Sequence, residues 1–336
     1  MRVFSDPHQI QLPTAPENAL RIPESAQGQI LDSLYKGIGL TRLRIIPNAR
    51  GIEPVNDNAD PSSTDLSRFD FSDLKNDAFF EAVRAARSRG VTMWWNSPVV
   101  LESWMNQGNP EENVEWAMAM LRRWRAQGLE FPYYSIINEP SYSASGGPWP
   151  GEYIRDVVKL LGRKLKEEGF TTKLVIPDDL NPEVAARVAR IVLADAEARQ
   201  YVAALPFHLY GASLGEAPDL KVLSETYGIP LWMSEHFVSD PMAWALSVHE
   251  LLADHNVAAV DYFLGFFGEK EDAQLISLVH RGTEYLGFKM EPEFHVFGHY
   301  SKYVRPGAVR IAAIAAAQTV KVSAFVKDNR MSRGCD

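Results

Sequence analysis

The stretch Tyr133-Tyr134-Ser135-Ile136-Ile137-Asn138-Glu139-Pro140 decides how the rest of the chain is read. Its first six residues are a short run rich in aromatic and β-branched side chains, the length and make-up of a buried strand. It closes on a polar pair and a proline, which has no N–H to extend a ladder. Upstream, Asn109-Pro110-Glu111-Glu112 reads as a helix start: an N-cap, a proline at the first helical position and a capping-box glutamate. The helix that follows sets Val114, Ala117, Met118 and Leu121 on one stripe and Arg122, Arg123 and Arg125 elsewhere. An amphipathic helix followed by a buried strand is part of a βαβ unit, and the pattern continues in both directions.

The same reading gives strands at Leu40–Ile46, Val91–Asn96, Tyr133–Asn138, Lys173–Ile176, Val202–His208, Ile229–Glu235 and Val257–Phe263. Helices are predicted at Glu24–Tyr35, Ala82–Arg89, Tyr153–Glu168, Glu183–Glu197 and Met242–Asp254, besides the one after Pro110. Asn181-Pro182-Glu183 and Asp240-Pro241 repeat the cap-and-proline signature. Strands and helices in alternation imply a parallel sheet. An open doubly wound sheet and a closed barrel both satisfy the order. The length of 336 residues and the number of units favour a (β/α)8 TIM barrel in the α/β class. A barrel needs an eighth strand, and the candidate lies within Val3–Leu12. The expected layout is a barrel over residues 1–308, a truncated or residual β-segment over 309–328, and a frayed tail over 329–336.

Apolar residues make up 46% and charged residues 23%, which suits a globular core. The net charge of −9 argues against a general nucleic-acid partner, which needs a basic face. The one cysteine, Cys335, excludes an internal disulfide and a cysteine-rich zinc site. No metal and no cofactor is expected. No run of about 18 apolar residues points to a membrane span. The residues after Met1 lack the apolar core of a secretory signal, so a cytoplasmic location is expected for a chain that starts there.

In a parallel barrel, chemistry sits on the loops after the strands. That rule selects Asn138-Glu139-Pro140 after the fourth strand of a barrel, His208-Leu209-Tyr210-Gly211 after the sixth, and Ser234-Glu235-His236 after the seventh. Two carboxylates thus leave one rim from different strands. Glycoside cleavage uses such a pair: one protonates the leaving oxygen, and the other attacks the sugar carbon or activates water. Each glutamate alone reads equally as a cap or half of an ion pair; together they carry the functional reading.

Asn138-Glu139-Pro140, with Glu235 ending a later strand, resembles the clan of retaining β-glycosidases built on (β/α)8 barrels. Asn96-Ser97-Pro98 with Ser103-Trp104-Met105, and the segment Gly298-His299-Tyr300-Ser301-Lys302-Tyr303-Val304-Arg305-Pro306-Gly307 with Arg310-Ile311, narrow the resemblance to glycoside hydrolase family 30. The resemblance covers about Gly37 to Ile311. It implies a carbohydrate substrate, Glu139 as acid/base and Glu235 as nucleophile. It also implies Asn138 on the sugar 2-hydroxyl, Tyr210 holding Glu235, and Arg44 beneath the site near the nucleophile. Trp95, Trp104 and His208 complete the expected substrate-binding set, with Trp149 a further aromatic. Val99 stands where the family carries tryptophan after Ser-Pro, and Tyr262 and Phe263 lie where the clan has a tryptophan ending strand eight. The chain is also shorter than the family pattern at both ends.

Rival readings come from other classes. Gly211-Ala212-Ser213-Leu214-Gly215 matches a serine-hydrolase elbow, with Asp240 and His255 or His280 as partners. Pro218 disfavours the helix that must follow such an elbow. His249-Glu250 lacks the second histidine of a metal-hydrolase motif, since Ala253 holds that place. A third alternative is a carbohydrate-binding barrel whose catalysis has decayed. The apolar segment Val309–Val326 has few strand partners, so a homodimer through it is expected, against its folding back on its own barrel.

Overall fold

In a computed structural model, residues 2–4, 22–46, 51–71, 74–99, 101–102, 104–105, 109–142, 147–267, 274–317, 319–327 and 330–335 are described. Eight strands join in chain order and close into a barrel. They are β1 (Arg2–Phe4), β2 (Arg42–Ile45), β3 (Met93–Asn96), β4 (Tyr133–Ser135), β5 (Lys173–Val175), β6 (Val202–His208), β7 (Leu231–Glu235) and β8 (Ala259–Tyr262). β8 pairs in parallel with β1, Arg2 opposite Asp261 and Val3 opposite Tyr262. The eighth strand therefore overlaps the start of the segment expected to hold it; the rest of that segment lies outside the described residues.

Helices alternate with these strands: α1 (Glu24–Asp32), α2 (Leu74–Arg87), α3 (Pro110–Ala126), α4 (Gly151–Glu167), α5 (Pro182–Ala194), α6 (Ala196–Arg199), α7 (Asp219–Tyr227) and α8 (Pro241–His249). The three cap-and-proline signatures act as read. Asn109 Oδ1 accepts from Glu112 N, Asn181 Oδ1 from Glu183 N and Val184 N, and Asp240 Oδ1 from Ala243 N. Each satisfies an N–H that the first helical turn leaves without a partner. The helix expected over Glu183–Glu197 is interrupted because Asp195 leaves the helical conformation and caps α6 through Glu197 N and Ala198 N.

By compactness the chain divides into two interleaved units. One comprises Arg44–Val83 and Trp94–Ser234. Its helix layer packs Trp124 between Phe80 and Phe131, with ring centroids at 4.5 and 4.4 Å. The stripe Val114, Ala117, Met118 and Leu121 of α3 is buried as the periodicity requires. The other comprises Met1–Leu43, Arg84–Met93 and Glu235–Asp336. It is built on Trp244, Tyr262 and Phe297, whose rings meet at 4.8, 5.4 and 6.3 Å.

The second unit holds what the sequence reading lacked. A hairpin of β10 (Ile276–Arg281) and β11 (Glu284–Met290) follows the short β9 (Phe266–Phe267) and turns at Gly282, whose φ is +60°. α9 (Pro292–Ser301) then carries the first part of the Gly298–Gly307 segment. Its glycine permits close approach: a Cβ at Gly298 would lie 2.8 Å from Ile38 Cγ2. Arg305 donates to the Gly39 carbonyl and to the Ser301 carbonyl, tying this segment to the turn before β2. Finally β12 (Val309–Ile311), β13 (Val322–Lys327) and β14 (Arg330–Cys335) form an antiparallel sheet of their own. The tail read as frayed is thus a strand, because its backbone finds the full length of β13 to pair with.

Candidate active site

Glu139 follows β4 at φ +51°, and Asp178 follows β5 at φ +57°. Left-handed backbone in a residue with a side chain costs about 1–3 kcal/mol and persists where the surroundings enforce it. The two residues enforce one another: Glu139 N donates to the Asp178 carbonyl at 2.9 Å. Pro140 directly after Glu139 has no N–H to satisfy. The effect is to turn the Glu139 side chain out of the strand direction into a nearly closed setting, where the residue is 9% exposed.

Arg44, at the end of β2 and wholly buried, is the anchor below. Its guanidinium donates to Asp178 Oδ2, to Asn138 Oδ1 and to Ser97 Oγ. Its face lies 5.1 Å from the Trp95 ring centroid. Asp178 is saturated with partners. Ser97 Oγ donates to its Oδ2, and Ser234 Oγ to its Oδ1 at 2.6 Å. Burial alone would raise the Asp178 pKa. The Arg44 charge, with His208 and Ser234, outweighs burial and holds the carboxyl well below the usual range. Asp179, one residue on, has no such cation: burial pushes it up, opposed by bonds from Ser141 and the Leu180 N–H.

His208 ends β6 with no exposure. Its Nδ1 lies 2.9 Å from Glu139 Oε1, and its Nε2 lies 3.4 Å from Asp178 Oδ1. Glu235 ends β7 and is 7% exposed. Donor atoms of Glu139, His208 and Glu235 all lie within 4.8 Å of one another. Among the described residues this is the one group of histidine and carboxylates tight enough to hold a metal ion.

The structure sorts the residues selected from sequence. Glu139, Glu235 and Asn138 stand at strand ends, as the rule selected them, and Arg44, implied by the resemblance near the nucleophile, is bonded to Asp178, Asn138 and Ser97. Asn138 accepts from Arg44 through Oδ1, which orients its NH2 away from that bond. His208, expected on substrate, is instead buried between Glu139 and Asp178. The Tyr210 ring stands edge-on to His208 with centroids 5.8 Å apart. Trp95 has no exposed surface; it packs on Arg44 and lies 6.0 Å from Trp232, so it offers no face to a sugar. Trp149 is likewise buried, beside Tyr153. Trp104 is half-buried, and its Nε1 donates to the Glu53 carbonyl at 2.6 Å. Ser103 lies outside the described residues. Tyr262 is buried and donates to the Val238 carbonyl. Ser213 does not sit on an elbow. Its Oγ donates to Glu216 in an exposed turn, and α7 begins only after Pro218. Sequence reasoning missed Asp178, which was within reach because Asp178-Asp179 follows a strand by the same rule that selected Glu139, and it named Ser234 only as the neighbour of Glu235.

No family model matches the chain. It is 25% identical over 223 residues to glucuronoxylanase XynC of Bacillus subtilis, covering 62% of this chain and 47% of that protein. It is 25% identical over 312 residues to lysosomal acid glucosylceramidase of Mus musculus, covering 77% and 59%. The chain therefore spans about half the length of the curated relatives it matches. Among solved structures it resembles an endo-β1,6-glucanase at TM-score 0.78 and 16% identity, covering 98% of this chain and 81% of the other. It also resembles the family 30 subfamily 8 xylanase Xyn30A of Clostridium acetobutylicum at TM-score 0.70 and 20% identity, covering 90% and 75%. The two curated relatives are named as a glucuronoxylanase and a glucosylceramidase, and the solved structures share their fold with this chain.

Proposed function

We propose that this chain is a retaining β-glycoside hydrolase, with Glu139 as acid/base and Glu235 as nucleophile. The observation that carries the reading is the convergence of these two carboxylates, from the ends of β4 and β7, to within 4.8 Å. In the first step Glu139 gives its proton to the glycosidic oxygen as that oxygen leaves C1. The Glu235 carboxylate attacks C1 and forms a glycosyl ester. In the second step Glu139 takes a proton from water, the water oxygen bonds to C1, and the Glu235 carboxylate departs. Asn138, with its amide set by Arg44, is suited to the sugar 2-hydroxyl, and Trp104 is the selected tryptophan with an exposed portion.

A screen of aryl β-glycosides and β-linked oligosaccharides, with mass detection of products, tests the activity. Proton NMR of the first-formed sugar tests the stereochemistry; an inverted anomer would make Glu235 a base rather than a nucleophile. Glu235→Gln separates the readings. A glycosidase loses turnover and keeps sugar binding, whereas a decayed binding barrel shows no turnover in either form. Homodimerisation through the C-terminal sheet is a separate proposal, supported by the exposure of Val309, Ile314 and Val320. Light scattering at micromolar concentration that finds only the monomer mass rejects it.

A further inference from the structure

Glu139 opens a turn, and that turn is gripped from the end of the neighbouring strand. Tyr142 N donates to the Glu139 carbonyl at 2.9 Å, closing Glu139-Pro140-Ser141-Tyr142 into a β-turn with Pro140 at its second position. Asp179, which follows β5, reaches the turn with both carboxyl oxygens. Ser141 Oγ donates to its Oδ2 at 2.6 Å, and Ser141 N donates to its Oδ1 at 3.3 Å. We propose that Asp179 is a positioning residue for the acid/base: its grip on Ser141 fixes the turn that begins at Glu139 and so aims the Glu139 carboxyl. The proposal rests on the glycosidase reading for its consequence but not for its geometry.

Asp179 is itself firmly placed. It is wholly buried, its carbonyl accepts from His208 N at 2.8 Å, and it bridges in parallel to Phe207 of β6. Its Oδ1 also accepts from Leu180 N at 2.9 Å, which holds the side chain against its own backbone. The link from Ser141 back to Glu139 is short and stiff. Pro140 has a ring-locked φ, so a movement of Ser141 is passed on to Glu139 rather than absorbed between them. Glu139 is left-handed at φ +51°, a conformation that persists only where the surroundings enforce it. The Asp178 carbonyl holds the amide before this Cα at 2.9 Å, and the Asp179 carboxyl holds the turn after it. Two adjacent residues at one strand end thus fix both sides of one Cα. Trp149 N adds a strut from outside the turn, donating to the Pro140 carbonyl at 2.8 Å. Such placement matters for proton transfer, since a displacement of about 1 Å in a reacting group can cost about 100-fold in rate.

The test uses three substitutions in the full chain. Asp179→Ala removes the grip, and Ser141→Ala removes its shorter bond. Asp179→Asn keeps it, because an amide oxygen accepts from both N–H groups and the amide NH2 donates to Ser141 Oγ. Asp179→Ala should lower kcat/KM about 100-fold for an aryl β-glycoside with a poor leaving group, and Ser141→Ala about 10-fold. A dinitrophenyl glycoside, whose departure needs no proton, should lose less than about threefold in both variants. Asp179→Asn should stay within about threefold of the wild type on either substrate. Equal losses on the two substrates would show a structural role only and refute the proposal, as would an Asp179→Asn variant as impaired as Asp179→Ala. Should Asp179→Ala not fold, Ser141→Ala must show the leaving-group selectivity, and its absence is equally fatal. Amide hydrogen exchange reads the grip apart from any sugar chemistry: the peptide spanning Asn138–Tyr142 should exchange at least about tenfold faster in Ser141→Ala than in the wild type. No change there overturns the proposal, whether or not the chain cleaves sugars. Wild-type protein inactive on every β-glycoside would remove the glycosidase reading and leave hydrogen exchange to judge the grip.

Discussion

Replacing Arg44 by methionine tests the buried charge pair on which the site is built. Arg44 and Asp178 both have fully buried side chains, and their contact links the end of β2 to the end of β5. Methionine keeps most of the volume but leaves Asp178 as a buried carboxylate without its cation. Removing one partner of such a pair costs about 3–5 kcal/mol. At roughly 2–4 °C per kcal/mol, the melting temperature at pH 7 should fall by about 6–20 °C. The pH dependence is the sharper readout. In the wild type the Asp178 carboxyl is held low, so its stabilisation is fully present above the unfolded carboxyl value, about 3.9, and is lost only as pH falls through the lower folded value. In Arg44→Met burial loses its main opponent and the folded value rises. The variant then takes up a proton in its native state before the wild type does. The stability gap should narrow by about 1.4 kcal/mol per pH unit below that raised value. Urea unfolding followed by circular dichroism from pH 8 to pH 4 measures the gap. A gap that stays constant over that range, or one below about 1 kcal/mol at pH 7, would refute the reasoning.

Three further outcomes are expected. Burial, reinforced by Asp57 and neighbouring glutamates, pushes the carboxyl groups of Glu53 and Glu115 up to about 7 against weaker opposing hydrogen bonds. Values raised above the unfolded ones mean stability that is full below about pH 4.5 and is lost as pH rises through 7. The melting temperature should therefore be higher at pH 5 than at pH 8, and Glu53→Gln should reduce that difference; a protein more stable at pH 8 contradicts the assignment. Gly298→Val places a branched side chain against Ile38, where even a Cβ comes within 2.8 Å, and should cost about 1–3 kcal/mol by urea unfolding. Ser213→Ala should leave β-glycoside turnover within about twofold, because Ser213 only caps an exposed turn; a large loss would return the serine-hydrolase reading.

The barrel was legible because its strands announce themselves locally. Buried parallel strands are short apolar runs, and each of the seven read from composition begins two residues after the expected start or on the same residue, as Tyr133, Lys173 and Val202 do. The helix starts were legible because a cap is a contact between residues three apart. What escaped depends on pairing between distant residues. The hairpin of β10 and β11 alternates weakly, its second strand being mostly half-exposed or exposed, so neither period nor apolar content marks it. β14 is polar and basic, and only the presence of β13 makes it a strand. The glycine of the Gly298–Gly307 segment could be matched as a motif, but its reason, the approach of Ile38 from the far end of the chain, is visible only in the fold.

The site divides along the same line. That Glu139 and Glu235 end strands is local, so the rule about barrel rims found them. Which of the other strand-end groups serve them is not local. Asp178 and Asp179 are adjacent and chemically identical in sequence. In the structure one faces the guanidinium of Arg44 and is held ionised, while the other, partnered by a hydroxyl and two amides, is pushed toward its neutral form. The same geometry moves Trp95 and His208 from the sugar to the scaffold. Trp95 closes over Arg44, and His208 spans from Asp178 to Glu139.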